Sequence, residues 1–271
     1  MAQISSGPPL ASAGLKMVRA DEHLEVLVRE VRRFKESKPY RVIHEIDPQT
    51  GERLIHAVPL HDPDPGLSLV LGDLVHNLSA VLDHAVYGLS VLEARRPLTR
   101  REQESIGFPI STDSIAFAKA APTRLRFLDD GPRSVIEAAQ PFHGPSEAAR
   151  LNHPLAVLRE MSNADKHRTL LLVTGQPEMF GIGMNTEVAE GVHRFTGPRA
   201  EFGTVVSRLT LDAGQADTRE PYFDVKVLLP PNGPVRSPIA AASSIDSLAT
   251  SMSRTVRSVL QQLQMYVIGV R

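Results

Sequence analysis

Apolar side chains recur at three- and four-residue steps in two segments of the chain, which is the period of a helix with one buried face. The first segment runs from Ala20 to about Lys35, with apolar positions at Leu24, Leu27, Val28, Val31 and Phe34. The second runs from Ser243 to about Val267. The pattern therefore predicts one helix near the N-terminus and another that closes the chain.

Helices are also predicted in the middle of the chain. The segment from Leu67 to about Glu93 predicts a long helix, because it contains no proline and almost no glycine. Pro154 opens a helix that runs to about Asp165, with Asn152 as its N-cap. Shorter helices are predicted where Thr, Asp or Pro stands in a starting position, at 99–105, 113–120 and 132–139.

Strands are predicted where apolar and polar residues alternate or where branched residues cluster. RVIHEI, DPQTGE and RLIHAV form two alternating arms around a Pro and Gly turn, which predicts a β-hairpin at 40–58. After Lys166, the branched residues of RTLLLVTG and of two segments at 203–213 and 222–230 predict antiparallel strands.

The predicted elements add up to an α+β fold with a helical core. Residues 1–14 are predicted to be a disordered tail, and 15–167 a mainly helical region that includes the hairpin. Residues 168–271 are predicted to be β-rich and to end in the closing helix. We expect this second region to pack with the helical region as one unit.

One sector of the long helix is polar in an unusual way. At about 100° per residue, this polar sector collects Asp73, His76, Asn77, Ala80, Asp83, His84 and Tyr87. The opposite sector is apolar and consists of Leu71, Leu74, Val75, Leu78, Leu82, Ala85, Val86 and Leu89. A carboxylate beside an imidazole suits acid–base chemistry or metal ligation, and it equally satisfies a buried structural histidine.

A second polar cluster, NADKHR, lies between the helix opened by Pro154 and the strand that follows. It consists of Asn163, Asp165, Lys166, His167 and Arg168. Loops held between rigid elements are common positions for binding sites. The alternative is an ordinary helix end, since basic side chains are favoured at a helix C-terminus. If the two helices pack together, this cluster and the polar sector face each other across a cleft.

Composition narrows the class of protein. The 271 residues, 42% of them hydrophobic, suffice for a sizeable core. With 30 basic and 31 acidic side chains, nothing indicates a strong overall attraction to nucleic acid. The absence of cysteine excludes disulfides and thiolate chemistry and suits the cytoplasm. No secretory signal and no run of roughly 20 apolar residues is evident, so no membrane association is predicted.

A family resemblance is carried by four segments: GDLVHNLSAVLDH at 72–84, FPI at 108–110, QPF at 140–142 and PLAVLREMSNADKHR at 154–168. Together they resemble a family of bacterial proteins that share GDxxHNLRxALDH and N-x-DKHR motifs and have no established activity. The resemblance covers roughly residues 67 to 170. One departure is Ser79, where family members often have Arg, and it weakens any mechanism that needs a cation there.

The polar residues are compatible with a protein that is not an enzyme. In this interpretation, the chain is a regulatory or interaction module whose polar sector is a buried hydrogen-bond network. Asp73, His76, Asn77, Asn163, Asp165 and Lys166 are then candidate binding residues. No cofactor and no particular partner is identified, although an exposed amphipathic helix would permit a homodimer.

Two enzymatic alternatives use the same clusters. The first is phosphodiester cleavage, with His84 or His167 as general base and acid and Arg168 or Lys166 stabilising phosphate charge. Asp83 is a further candidate catalytic residue. The chain is similar to HEPN-type ribonucleases only in having a helical scaffold and a His-rich helix. The closely spaced Arg and His pair of those enzymes is absent from this sequence. The second is a metal-dependent hydrolase. Its candidate ligands are His76, His84, His167 and either Asp83 or Asp165.

Overall fold

The computed structural model of the chain describes residues 10–46, 48–49, 53–167, 169–175, 178–182, 221–230 and 232–269. Within these residues the protein has the predicted α+β fold, with a mainly helical chain, an early β-hairpin and a closing helix. The predicted strand at 203–213 lies outside the described residues.

Helices form most of the described chain, and those predicted from the sequence are confirmed within a few residues at most of their ends. They are α1 (Ala11–Glu36), α2 (Pro65–Ala94), α3 (Arg100–Ser105), α4 (Ser114–Arg124), α5 (Asp130–Ala138), α6 (Glu147–Leu151), α7 (Pro154–Asp165), α8 (Pro238–Ala241) and α9 (Ile245–Gly269). A short 3-10 turn at Pro141–His143 contains most of the QPF segment.

Two helix starts differ from the prediction. Helix α1 begins at Ala11, nine residues before the predicted start at Ala20, so the predicted disordered tail is wrong for residues 11–14. Helix α7 is capped by His153 and not by Asn152, because Nδ1 of His153 accepts a hydrogen bond from the backbone N–H of Leu155 at 3.2 Å. An imidazole nitrogen here takes the part that a side-chain oxygen usually plays.

The strands are short and pair antiparallel. The predicted hairpin is confirmed as β1 (Tyr40–Ile46) and β2 (Arg53–Pro59). The later strands are β3 (Val173–Thr174), β4 (Glu178–Ile182), β5 (Pro221–Asp224) and β6 (Val227–Leu228). Strand β3 pairs with β6 and β4 with β5, so the described chain holds three separate two-stranded sheets.

Two compact units divide the described residues, each assembled from separate stretches of chain. The first takes the described residues of Met1–Val28, Pro65–Leu171 and Leu229–Arg271, and the second those of Arg29–Asp64 and Leu172–Leu228. In the second unit, Tyr40, Ala57, Phe223 and Val225 form a small buried core under the hairpin. The ring of Tyr40 meets that of Phe223 edge-on, with centroids 5.5 Å apart.

Helix α2 is the centre of the first unit, where α7 and α9 pack against it and against each other. Its predicted apolar sector is buried throughout, from Leu71 to Leu89. By length and composition alone, α2 could cross a membrane, and its most apolar window has a mean hydropathy of 1.3. However, 56% of that apolar window is buried inside the protein, as in the core helix of a globular unit.

Candidate functional site

Part of the polar sector of α2 packs against α1 instead of lining a cleft. Asn77 is buried, and its amide donates to the backbone oxygen of Asp73 at 2.8 Å while accepting from Nζ of Lys16 at 3.3 Å. The hydroxyl of Ser12 lies 2.8 Å from Nδ1 of His84. These contacts satisfy polar groups between two helices, as the structural interpretation of the sector expects.

His84 occupies an environment that favours its neutral form. Burial lowers the pKa of its imidazole below the ordinary value, and the nearby Lys16 ammonium lowers it further. The Asp83 carboxylate acts in the opposite direction. His84 is therefore an uncharged hydrogen-bonding partner of α1 near neutral pH.

The proposed metal-ligand set is not assembled. Across the described part of the chain, no three His, Asp or Glu side chains come close enough to share a metal ion. The set of His76, His84, His167 and either Asp83 or Asp165 is therefore wrong as a metal site. His76 and His167 are both exposed, and His84 is turned towards Ser12.

A cavity of about 460 Å³ does bring the two motifs together. Helix α2 contributes Ser79 and Asp83, and the end of α7 contributes Asn163 and Lys166. The remaining walls come from the FPI segment and one side of α4. Their lining residues are Phe108, Pro109, Ile110, Ser111, Ala116, Phe117, Ala120 and Arg124. All the described lining residues belong to the first unit, and the volume suits a small-molecule ligand.

The FPI segment is held in place by side chains from three different helices or helix ends. The backbone N–H of Phe108 donates to Oδ1 of Asp83 at 2.9 Å, and Nη1 of Arg159 donates to the backbone oxygen of Ile110 at 2.8 Å. One residue further along, the N–H of Ser111 donates to Oε1 of Gln140 at 2.9 Å. The FPI and QPF segments, far apart in the sequence, are thus linked by a hydrogen bond behind the lining of the cavity.

Gly107 lets this wall approach α2 closely. A Cβ atom at this position would lie 3.0 Å from Oδ1 of Asp83 and 3.1 Å from Nη1 of Arg124. Its φ of 157° is also one that side chains rarely adopt. The absence of a side chain therefore allows the carboxylate and the guanidinium to flank the same backbone position.

Positive charge dominates the cavity. Arg124, Arg159 and Lys166 line it, and Asp83 is the single acidic side chain among its described lining residues. Arg159 is engaged with the Ile110 carbonyl, whereas Arg124 and Lys166 form no ion pair with any described residue. Cations gathered in a partly enclosed site attract anions from solution and repel cations.

Gly72, the first residue of the GDLVHNLSAVLDH motif, contacts Asp165 of the NADKHR cluster. A Cβ atom on Gly72 would lie 2.6 Å from Oδ1 of Asp165. The half-buried Asp165 carboxylate therefore packs directly on the backbone of α2, away from the cavity lining. The two motifs meet at this contact as well as around the cavity.

The predicted site residues separate into three groups. Asp83, Asn163 and Lys166 line the cavity, while Asp165 packs beside it on Gly72. Asn77 and His84 contact α1. Asp73, His76 and His167 are exposed and do not line the cavity, and Arg168 lies outside the described residues.

Two cavity cations, Arg124 and Arg159, were missed as binding residues in the sequence. Arg124 lies outside the four segments that carry the resemblance, and Arg159 lies in one of them but before the N-x-DKHR motif, so both look like ordinary helix-surface arginines among 30 basic side chains. The FPI and QPF segments were the only sequence features that pointed to this part of the chain, because both interrupt the helical pattern with short uncharged stretches.

Comparison of the chain with models of protein families, with curated proteins and with solved structures finds no match.

The His153 cap predicts a pH dependence of stability. Burial lowers the pKa of His153 below its ordinary value of 6.5, and a protonated Nδ1 cannot accept the Leu155 N–H. Because the folded-state pKa is the lower one, this contribution is complete above about pH 6.5 and is lost as pH falls through the folded pKa. We expect the free energy of unfolding, measured by denaturant titration, to fall below pH 6.5.

The matched variant for this prediction is His153→Asn, which keeps a capping acceptor but does not titrate. Its free energy of unfolding should depend less on pH than that of the wild type between pH 4.5 and 7 (about the range where imidazole charge changes). His167→Asn, an exposed substitution at the other end of α7, should retain the wild-type dependence. Equal slopes for wild type and His153→Asn would contradict the assignment.

Proposed function

We propose that the protein binds a small anionic ligand in the cavity between α2, α4, α7 and the FPI segment. It would act as a ligand-binding regulatory module of the cytoplasm. The observation that carries the proposal is the convergence of Arg124, Arg159 and Lys166 on a cavity with one carboxylate, Asp83. Guanidinium and ammonium groups are the side chains that recognise phosphate and carboxylate groups.

The charge balance supports a ligand that carries negative charge. Three like charges in one cavity repel each other, and this repulsion is relieved when an anion binds among them. Ser79 and Asn163 add neutral hydrogen-bonding groups that can orient the ligand without adding charge. Ser79, where the family that the chain resembles often has Arg, is no obstacle to anion binding, because α4 and α7 supply the cations.

Phosphodiester cleavage has weaker support as an activity of this cavity. Neither His84 nor His167 lines it, so the acid and base expected from the sequence stand away from the cations. The cavity itself offers Asp83 as a proton acceptor, and one oxygen of that carboxylate is engaged by Phe108. Binding without chemistry is the function that these positions support best.

Isothermal titration with inorganic phosphate and pyrophosphate tests the proposal. We expect saturable binding by the wild type that weakens as salt is raised, because exposed charge interactions are screened. Arg124→Gln and Lys166→Gln should each weaken binding by roughly tenfold, the effect of losing one charged hydrogen bond.

The matched control is Lys119→Gln on the same helix as Arg124. Lys119 is exposed and is not part of the cavity lining, so this variant loses the same charge without touching the proposed site. Its affinity should equal that of the wild type, as should the affinity of His84→Ala. An absence of saturable binding, or an equal loss in Lys119→Gln and Arg124→Gln, would overturn the proposal.

A further inference from the structure

A second, more open cavity of about 560 Å³ adjoins the first. It lies between α7 and the segment before α8, and its described lining consists of Arg159, Glu160, Asn163, Ala164, Pro234 and Arg236. Arg159 and Asn163 line both cavities, so the two spaces are direct neighbours. We call this second space the groove.

Arg236 is positioned in the groove by a buried carboxylate. The side chain of Glu160 is only 9% exposed, and its two oxygens accept from the backbone N–H of Arg236 at 2.9 Å and from Nε at 2.5 Å. No described residue accepts from Nη1 or Nη2 of Arg236, and the side chain is 62% exposed. The outer edge of the guanidinium therefore has donors available to a ligand.

Cationic side chains line both of these neighbouring spaces. Arg124 and Lys166 line the cavity, Arg236 lines the groove, and Arg159 lies between them. Asp83 and Glu160 are the acidic members of the described lining, so four cations face two carboxylates. Glu160 and Arg236 neutralise each other, so the excess positive charge comes from the three cations that line the first cavity, of which Arg159 also lines the groove.

We infer that the ligand is an organic molecule with two separated anionic groups, one held in the cavity and one at Arg236 in the groove. The inference rests on the proposed function, because it extends the same site. The apolar walls formed by the FPI segment and α4 suit the uncharged part of such a molecule. Either phosphate or carboxylate groups can supply the charges, since guanidinium groups pair with both.

Calorimetric titrations with four probes test this inference: inorganic phosphate, pyrophosphate, fructose 1,6-bisphosphate and citrate. We expect the bisphosphate to bind at least about tenfold more tightly than inorganic phosphate, because a second charged contact is added. Arg236→Gln should remove this advantage while leaving the affinity for inorganic phosphate unchanged. Tighter binding of citrate than of the bisphosphate would assign carboxylates as the two groups.

Two further variants separate binding from folding. Arg236→Lys keeps a cation in the groove and should retain part of the advantage, and Arg254→Gln removes an exposed arginine outside both spaces and should change neither affinity. Melting curves identify any variant that is unfolded. If inorganic phosphate binds but neither the bisphosphate nor citrate binds more tightly, or Arg236→Gln keeps the advantage, the inference is overturned. If no probe binds the wild type, the proposed function itself is overturned.

Discussion

Replacing Gln140 with alanine is expected to lower the free energy of unfolding by about 2–4 kcal/mol, because two hydrogen bonds are lost inside the protein. Gln140 is 1% exposed. Its Oε1 accepts from the N–H of Ser111 at 2.9 Å, and its Nε2 donates to the backbone oxygen of Ile136 at 2.9 Å.

The hydrogen bond from the Gln140 side chain to the backbone oxygen of Ile136 explains why removing this side chain costs so much stability. The backbone N–H of Gln140 donates to Glu137 and not to Ile136, so the carbonyl of Ile136 near the end of α5 depends on the Gln140 side chain. The Ser111 bond joins this helix end to the wall of the cavity. We therefore expect Gln140→Ala to weaken phosphate binding as well, because the wall loses one of its supports.

Chemical denaturation of two companion variants checks this explanation. Gln261→Ala removes an exposed glutamine of α9 and should stay within about 0.5 kcal/mol of the wild type. Gln140→Glu keeps the acceptor but loses the donor at neutral pH. Burial should raise the pKa of the introduced carboxyl, so this variant should regain stability as acidic pH protonates it. A Gln140→Ala protein as stable as Gln261→Ala would contradict the structural role.

Replacing Gly72 with alanine is expected to lower the free energy of unfolding by about 1–2 kcal/mol. Alanine normally stabilises a helix interior by up to about 1 kcal/mol relative to glycine. Here the new Cβ would lie 2.6 Å from Oδ1 of Asp165, so one of the two helices must shift or the carboxylate must move. Overpacking of this kind costs about 1–3 kcal/mol and outweighs the gain in helix propensity.

Gly14 in α1 provides the matched control, because nothing lies within 4 Å of a Cβ built there. Gly14→Ala should raise the free energy of unfolding by about 0.5–1 kcal/mol. The double variant Gly72→Ala with Asp165→Ala should be at least as stable as Asp165→Ala alone, since the clashing oxygen is gone. An increase in stability for Gly72→Ala in the wild-type background would show that the two motifs do not meet at this contact.

Much of the secondary structure follows from local patterns. The three- and four-residue repeats of α1 and α9, the absence of proline from α2 after Pro65 and the start of α7 at Pro154 all reflect interactions within one segment. The hairpin of β1 and β2 is likewise defined by alternation around a turn. The apolar sector of α2 was correct for the same reason, because a long regular helix fixes which residues share a face.

The site depended on long-range contacts that these patterns do not contain. Nothing near His84 in the sequence indicates that its partner is Ser12, 72 positions away. Similarly, the cavity needs Arg124 and Arg159 to lie beside Asp83, which only the packing of α4 and α7 achieves. The polar sector was therefore interpreted as one surface, although it divides between the contact with α1 and the wall of the cavity.

The most direct test of the central claim is a titration followed by amide nuclear magnetic resonance, with phosphate added to isotopically labelled protein. We predict saturable shifts at residues 79–83, 108–111 and 159–166, which line or flank the cavity, and half-saturation in Arg124→Gln at a phosphate concentration roughly tenfold higher. Shifts confined to the surroundings of His76, His84 and Ser12, or no saturable shifts at all, would contradict an anion site in the cavity.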